Sequence, residues 1–321
     1  MICADPLVVS IEVNQECALN CPYCYSRPRR RGCRWEPGLL LRLVREAAAL
    51  TGETVVVLGD GEPLLSPRLT GLALRAALDA GACHAGFTTS GVPRQGLGLV
   101  EGWLGLPPGS ESRLSLTLSL DYWKLALSPR VEGAMLTPVL ERSWSVVRGL
   151  LPRSRGGEVP EPLAALVDAW RRGWRIALNL LVDVHLPVTG QLALAAVRDG
   201  IAEQVNLLAP KLYTGLLPGS WQRDTARTLR ALLDKLFEEG VRVAVDPAMR
   251  QYLTGEPGCR AGLRLLSVNA CGMVRPCSFH SGPGMLWTPG RLGSIWSRTA
   301  RSAGPLRGSW CPYSVLPRKV R

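Results

Sequence analysis

Extended apolar runs alternate with helical patterns along most of this chain, the signature of a parallel sheet wound with helices. LVVSIEV (7–13) reads as a first strand and GLLLRLVREAAALTG (38–52) as the helix that follows. TVVVLGDGEP (54–63) is a second strand ending in glycines and an acid. The unit repeats through LTGLALRAALDAG, AGFTTSG (85–91), a shorter helical piece near Leu99 to Leu104, and the strand RLSLTLSLDY (113–122). From Lys124 to Trp174 the pattern blurs into one enlarged crossover, with helices around 139–150 and 163–172. RIALNLLVDVHLP (175–187) and EQVNLLAPKLY (203–213) are further strands. In TARTLRALLDKLFEEG, residues Leu229, Leu232, Leu233, Leu236 and Phe237 share one helical face, Gly240 sits at the C-cap, and VRVAVD follows as a last strand.

These elements predict an α/β fold: a partial barrel of TIM type built from about six βα units, with its chemistry at the C-terminal ends of the strands. The loops at those ends carry the polar residues, in the cysteine loop, GDGEP, TTSG, SLDY, DVHLP and APKLY. After residue 249 periodicity fades and glycine, proline and cysteine take over. The expected organisation is a barrel core over 1–248 and a small Cys-rich, metal-bound domain over 249–321, since such a tail has little core of its own.

The chain has 321 residues, 46% of them hydrophobic, enough to build a packed core. No uncharged apolar stretch reaches the length of a membrane span, and MICADPLVVSIEV carries an acid where a secretory signal would be basic. The expectation is a cytoplasmic protein with no membrane partner, whose ten cysteines stay reduced and serve metal or catalysis. A net charge of +12 suggests a polyanionic partner. Only four of the 38 basic residues are lysines, however, and arginine excess of that kind is also what genome composition or heat adaptation produces.

ECALNCPYCYSRPRRRGCR (16–34) places Cys17, Cys21 and Cys24 within eight positions. A cubane [4Fe-4S] cluster has one ligand position per iron, so C-x3-C-x2-C on a single loop occupies three corners and leaves the fourth iron open to a substrate. The competing reading of the spacing is a zinc site completed by a distant ligand, or thiols that are simply buried. The three histidines, His84, His185 and His280, all lie far from this loop in sequence.

C-x3-C-x2-C with an aromatic before the last cysteine, after the first strand of a βα barrel, resembles the radical S-adenosylmethionine (radical SAM) enzymes. The resemblance extends to GDGEP, which is similar to the family's Gly-Gly-Glu-Pro turn that holds the cofactor's amino group. Gly61, Glu62 and Pro63 match, and Asp60 replaces the first glycine. TTSG stands where the family has a Thr-Asn-Gly-like turn, with Ser90 for the asparagine. Ser119 and Asp121 match a Ser-x-Asp at the fourth strand end, near ribose and carboxylate, although Asp121 also reads as a helix N-cap. Asn179 faces the same mouth if the register is right, and Tyr23 and Tyr25 are expected to pack around cluster and adenine. The implied mechanism is reductive cleavage of S-adenosylmethionine to a 5′-deoxyadenosyl radical that takes hydrogen from an unactivated C–H bond.

In the tail, Cys259, Gly272 and Cys277 form C-x12-G-x4-C, which resembles the opening of the SPASM or shorter twitch extension and implies an auxiliary [4Fe-4S] cluster. Cys311 supplies a third ligand, Cys271 falls in a hairpin turn as a non-ligand, and His280 is a weaker candidate for the fourth position. Cys3, Cys33 and Cys83 have no partner spacing and default to buried or incidental thiols.

The resemblance implies an enzyme with S-adenosylmethionine and one or two clusters, a reductant such as ferredoxin or flavodoxin, and a peptide, protein side chain or cofactor precursor as substrate. The alternative within the family is modification of tRNA or another nucleic acid, with phosphates on Arg27, Arg29, Arg30, Arg31 and Arg34. Aromatic residues for base stacking are not interleaved with those arginines, which weighs against it. A remote alternative is a zinc-stabilised binding protein, which leaves GDGEP and the strand order unexplained.

Overall fold

The computed structural model describes residues 5–24, 26, 32–151, 158–211, 223–256, 259–280 and 282–302. Four strands alternate with helices first: β1 (Leu7–Glu12), α1 (Pro37–Ala48), β2 (Thr54–Gly59), α2 (Pro67–Asp79), β3 (His84–Thr89), α3 (Gly96–Leu104) and β4 (Leu114–Ser119). The enlarged crossover follows as α4 (Tyr122–Leu127), β5 (Arg130–Val131), α5 (Pro138–Val147), β6 (Val159–Pro160) and α6 (Glu161–Arg171). Then come β7 (Ile176–Leu181), α7 (Leu186–Arg198), β8 (Gln204–Leu208), α8 (Arg223–Glu238), β9 (Arg242–Val245) and α9 (Pro247–Thr254). The described chain ends with β10 (Leu265–Val268), β11 (Met273–Arg275), β12 (Met285–Leu286) and α10 (Leu292–Ser302).

Among the described residues, one sheet runs in the order β12-β11-β10-β1-β2-β3-β4-β7-β8-β9, and β5 pairs with β6 apart from it. From β10 to β9 every neighbouring pair is parallel, the arrangement that alternating strands and helices impose. β9 and β12 are its edges, so this is a partial barrel of α/β type.

Alternation within strands separates the two sheet faces. Leu7, Val9 and Ile11 of β1 are buried, as are Leu114, Leu116 and Leu118 of β4 and Ile176, Leu178 and Leu180 of β7, all within the main core. The residues between them, including Ser10, Thr117, Asn179 and Asn206, are half-buried on the opposite face. α1 shows how a helix docks on the apolar side. The Glu36 carboxylate caps the amides of Gly38 and Leu39, and Leu40, Leu43, Val44 and Ala47 go inward.

Three details depart from the sequence reading. In α8, Leu229, Leu232 and Leu236 are buried as expected, whereas Phe237 is 65% exposed, one step off the inward stripe. The segment after residue 248, expected as a separate small domain, sends β10 alongside β1 in the main sheet, with β11 and β12 continuing antiparallel. A third concerns the cysteines. Cys33 and Cys271, expected as reduced thiols, form a disulfide with Cα atoms 5.2 Å apart. It joins the approach to α1 to the β10–β11 turn, because β10 lies beside β1 and brings that turn over the cysteine loop.

Candidate active site

The loop after β1 is held from both ends. Asn14 donates through Nδ2 to the Glu62 carbonyl oxygen (2.8 Å) and to Ser66 Oγ (3.1 Å), and its Oδ1 accepts from the Glu16 amide (2.9 Å). The Glu62 amide donates to the Glu16 carbonyl oxygen at 2.8 Å. The cysteine loop and the GDGEP turn are therefore joined by one backbone bond and by the Asn14 side chain. Gly61 fits in the seam: a Cβ there would stand 2.1 Å from the Asn14 carbonyl oxygen. Asp60 has φ of 69°, a left-handed conformation that glycine takes freely and aspartate tolerates better than most residues.

Glu62 is 2% exposed and its carboxylate is fully engaged. It accepts from the Leu64 amide (3.1 Å), the Ser90 amide (2.8 Å), Ser90 Oγ and Thr89 Oγ1. Burial pushes its carboxyl upward, and the Ser90 and Thr89 donors pull it back. The side chain thus ties the turn after β2 to the end of β3, placing Ser90 and Pro63 beside it. Neither could be assigned this partner from sequence.

Cys17, Cys21 and Cys24 remain thiols. Cys17 Sγ donates to the Leu19 carbonyl oxygen (3.2 Å), and Cys24 Sγ lies 3.2 Å from Ser26 Oγ. All three pack with Leu19, Tyr23 and Val92, so the loops after β1 and β3 meet here. Burial pushes the Cys21 thiol up to about 11, opposed by the nearby Lys124 ammonium. Tyr23 Oη is buried close to Cys21 and Asp121 without a well-formed hydrogen bond to either, and burial raises it well above the usual phenol range.

Ser119 ends β4, and Asp121 just beyond is 5% exposed. Asp121 caps α4 by accepting from the Lys124 amide (3.1 Å), and its Oδ2 pairs with Lys124 Nζ at 3.1 Å. Burial works against the Lys124 charge, yet Asp121, with Cys21 and Glu62 adding to it, leaves the ammonium above its ordinary value. The sequence reading offered Asp121 as cofactor contact or helix cap, and the structure shows the cap. Asn179 is in register with Ser119 on the neighbouring strand and accepts from Asn206 Nδ2 at 2.8 Å.

Sequence reasoning missed Asn14, Lys124 and Asp183. Asp183 follows β7, is 3% exposed, and accepts the His185 amide at 2.8 Å. Burial pushes its carboxyl up to about 6, with the Asp121 charge adding to the rise. Only position flagged it, as a residue in a loop at a strand end.

Three unoxidised thiols on one half-sheltered loop match the soft donor set of an iron–sulfur cluster. Among the described residues no three ligating side chains converge as they would on a single ion. The second cysteine set lies elsewhere. The Gly262 amide donates to the Pro276 carbonyl oxygen (2.9 Å), bringing the segments of Cys259 and Cys277 side by side, and the His280 amide donates to the Cys277 carbonyl oxygen (3.2 Å). Phe279 lies 4.9 Å from Lys211 Nζ, at the end of β8. Cys311, Cys3, Tyr25, Arg27, Arg29, Arg30 and Arg31 lie outside the described residues. Arg34 pairs with Glu16 at 2.5 Å, both well exposed.

Residues 11–99 match the model of the Radical SAM superfamily. A GTP 3′,8-cyclase of Synechococcus sp. (strain CC9902) is 40% identical over 87 residues, which is 26% of this chain and 25% of the cyclase. Streptococcus suis SuiB bound to S-adenosylmethionine superposes with a TM-score of 0.65 at 14% identity, over 92% of this chain and 67% of SuiB. SuiB bound to the precursor peptide SuiA gives 0.64 at 14%, over 91% of this chain and 64% of SuiB. The anSMEcpe structure with bound AdoMet gives 0.58 at 13%, over 92% and 82%. At such identities the structural likeness is one of fold, and the chain spans a quarter of the cyclase and under two thirds of peptide-bound SuiB. The cysteine loop, the GDGEP turn and the ends of β1, β2 and β3 all fall inside the matched stretch, so residues 11–99 carry a radical SAM domain.

Proposed function

We propose that this chain binds an open [4Fe-4S] cluster through Cys17, Cys21 and Cys24 and uses it to cleave S-adenosylmethionine reductively, then takes hydrogen from a peptide or protein side chain. The observation that carries the reading is the seam between the cysteine loop and the GDGEP turn, made by the Glu62–Glu16 backbone bond and the Asn14 side chain and closed over Gly61. It fixes the three thiols relative to Gly61, Glu62 and Pro63, the residues assigned to the cofactor's amino group. When bound, the cluster supplies one electron to the cofactor and the cofactor supplies the hydrogen-abstracting radical.

The chain's own residues do the positioning. Cys21, with its thiol raised by burial, must lose its proton on metal binding, and Lys124 nearby favours the thiolate. Glu62 is no general base, because four donors hold its carboxylate. Ser90, Ser119, Asp121 and Asn179 line the strand ends assigned to ribose and carboxylate, and Tyr23 and Val92 shelter the loop from water. Cys259 and Cys277, with Cys311, are assigned to an auxiliary [4Fe-4S] cluster, and the domain boundary at 248/249 is retained as a functional division. The electron donor is assigned to ferredoxin or flavodoxin.

A peptide substrate is favoured by the shared fold with SuiB, whose structure holds a precursor peptide, over 91% of this chain. The cyclase match covers only 26% of the chain and speaks to the cofactor end alone. The test is anaerobic reconstitution followed by incubation with S-adenosylmethionine and dithionite. 5′-Deoxyadenosine is expected from the wild type and absent from Cys21→Ala; equal product from both overturns the assignment of the loop.

A further inference from the structure

Two of the buried acids at the mouth, Asp121 and Asp183, are treated differently. Asp121 has a cation, the Lys124 ammonium at 3.1 Å, and a cap to make. Asp183, 3% exposed, has the His185 amide on Oδ1, and among the described residues no cation and no side-chain donor reaches it. His185 does not serve as the missing cation: burial lowers its imidazole, which is therefore neutral near neutral pH. It lies flat against Tyr122, with ring centroids 3.7 Å apart and planes at 7°, and Trp123 meets it edge-on at 5.8 Å. Trp123 Nε1 is itself buried, and among the described residues it has no acceptor.

A buried carboxylate without a counter-charge is costly, and so is a buried N–H without an acceptor. Two such groups beside one aromatic wall, at the ends of the adjacent parallel strands β4 and β7, point to a ligand that satisfies both. We propose that Asp183 is a substrate-binding residue that takes a cationic side chain, an ammonium or guanidinium, of a peptide, with the Tyr122–His185–Trp123 wall alongside and the Trp123 N–H on a substrate carbonyl. A buried carboxylate bordered by aromatic rings is a combination that recognises lysine and arginine. The proposal rests on the peptide reading above and names the residue type that reading leaves open. Asp121 is excluded from the role because Lys124 already occupies it.

The test uses the anaerobically reconstituted full chain with S-adenosylmethionine present. Its probes are the N-acetyl methylamides of lysine, arginine and norleucine, titrated calorimetrically. One of the two cationic probes is expected to bind about tenfold or more tightly than the neutral norleucine probe, the scale of one charge-assisted contact. Asp183→Asn is expected to remove that preference and Asp183→Glu to keep part of it. Trp123→Phe, which keeps the ring and deletes the N–H, is expected to weaken all bound probes alike. Wild-type protein with no cationic preference, or Asp183→Asn with the preference intact, overturns the proposal. Iron content and circular dichroism of each variant report folding, and if Asp183→Asn does not fold, the wild-type comparison and Trp123→Phe decide. Wild-type protein that forms 5′-deoxyadenosine but shows no preference sinks this inference alone, whereas wild-type protein that forms none sinks the functional reading beneath it.

Discussion

Asp60 and Gly61 meet the tightest steric demands of the site, and each shows a different use of backbone. Asp60 occupies the left-handed region, φ 69°, where the family-like pattern has glycine, so the substitution keeps the turn at a conformational cost. Gly61 needs the absence of a side chain, because the Asn14 carbonyl oxygen fills the space a Cβ would take. Gly61→Ala is expected to destabilise the folded chain by about 1 to 3 kcal/mol, the usual range for overpacking. It should also lower 5′-deoxyadenosine formation by about tenfold or more, since the cysteine loop must move to accommodate the methyl group. Denaturant unfolding and product chromatography measure both, and wild-type values would show the seam to be dispensable. Gly61, Glu62 and Pro63 were legible from a local motif. The role of the Glu62 carboxylate was not, since Thr89 and Ser90 reach it from another strand. Asp183 was illegible for a similar reason: its isolation appears only when Asp121, Lys124 and His185 are in place around it.

At the scale of elements, the strands β1 to β4 and β7 to β9 were readable because each pairs an apolar run with a helix of clear periodicity. β10 was hidden. LLSV is four residues in a stretch rich in glycine, proline and cysteine, and what makes it a strand is the exposed edge of β1. Once it docks there, its turn reaches the cysteine loop through buried polar contacts. Glu12 Oε2 accepts from the Ala270 amide (2.8 Å) and from Gln15 Nε2 (3.0 Å), and Gln15 Oε1 accepts from the Cys33 amide (3.2 Å). The Cys33–Cys271 disulfide closes the same junction across 238 residues of sequence. Closing so long a loop restricts the unfolded chain strongly, so the double variant Cys33→Ser, Cys271→Ser is expected to lose up to about 5 kcal/mol of stability. Mass spectrometry of unreduced digests should contain the cross-linked peptide; its absence, with unchanged stability in the double variant, would remove the disulfide from the account.

For the molecule as a whole, a half-open parallel sheet turns its apolar side to the helices and gathers polar loops at one end. The loops after β1, β2 and β3 interlock through Asn14, Glu62 and Ser90, so the cysteine loop sits on a rigid frame even though it has no regular structure of its own. No described helix is long and apolar enough to cross a membrane. The central claim is that three thiolates, Cys17, Cys21 and Cys24, leave one iron exposed to the cofactor. Its most direct test is electron paramagnetic resonance of the dithionite-reduced holoprotein, recorded before and after S-adenosylmethionine is added. The account predicts a changed spectrum in the wild type and in Cys259→Ala, Cys277→Ala, with no such change in Cys17→Ala, Cys21→Ala, Cys24→Ala; a wild-type spectrum indifferent to the cofactor would contradict it.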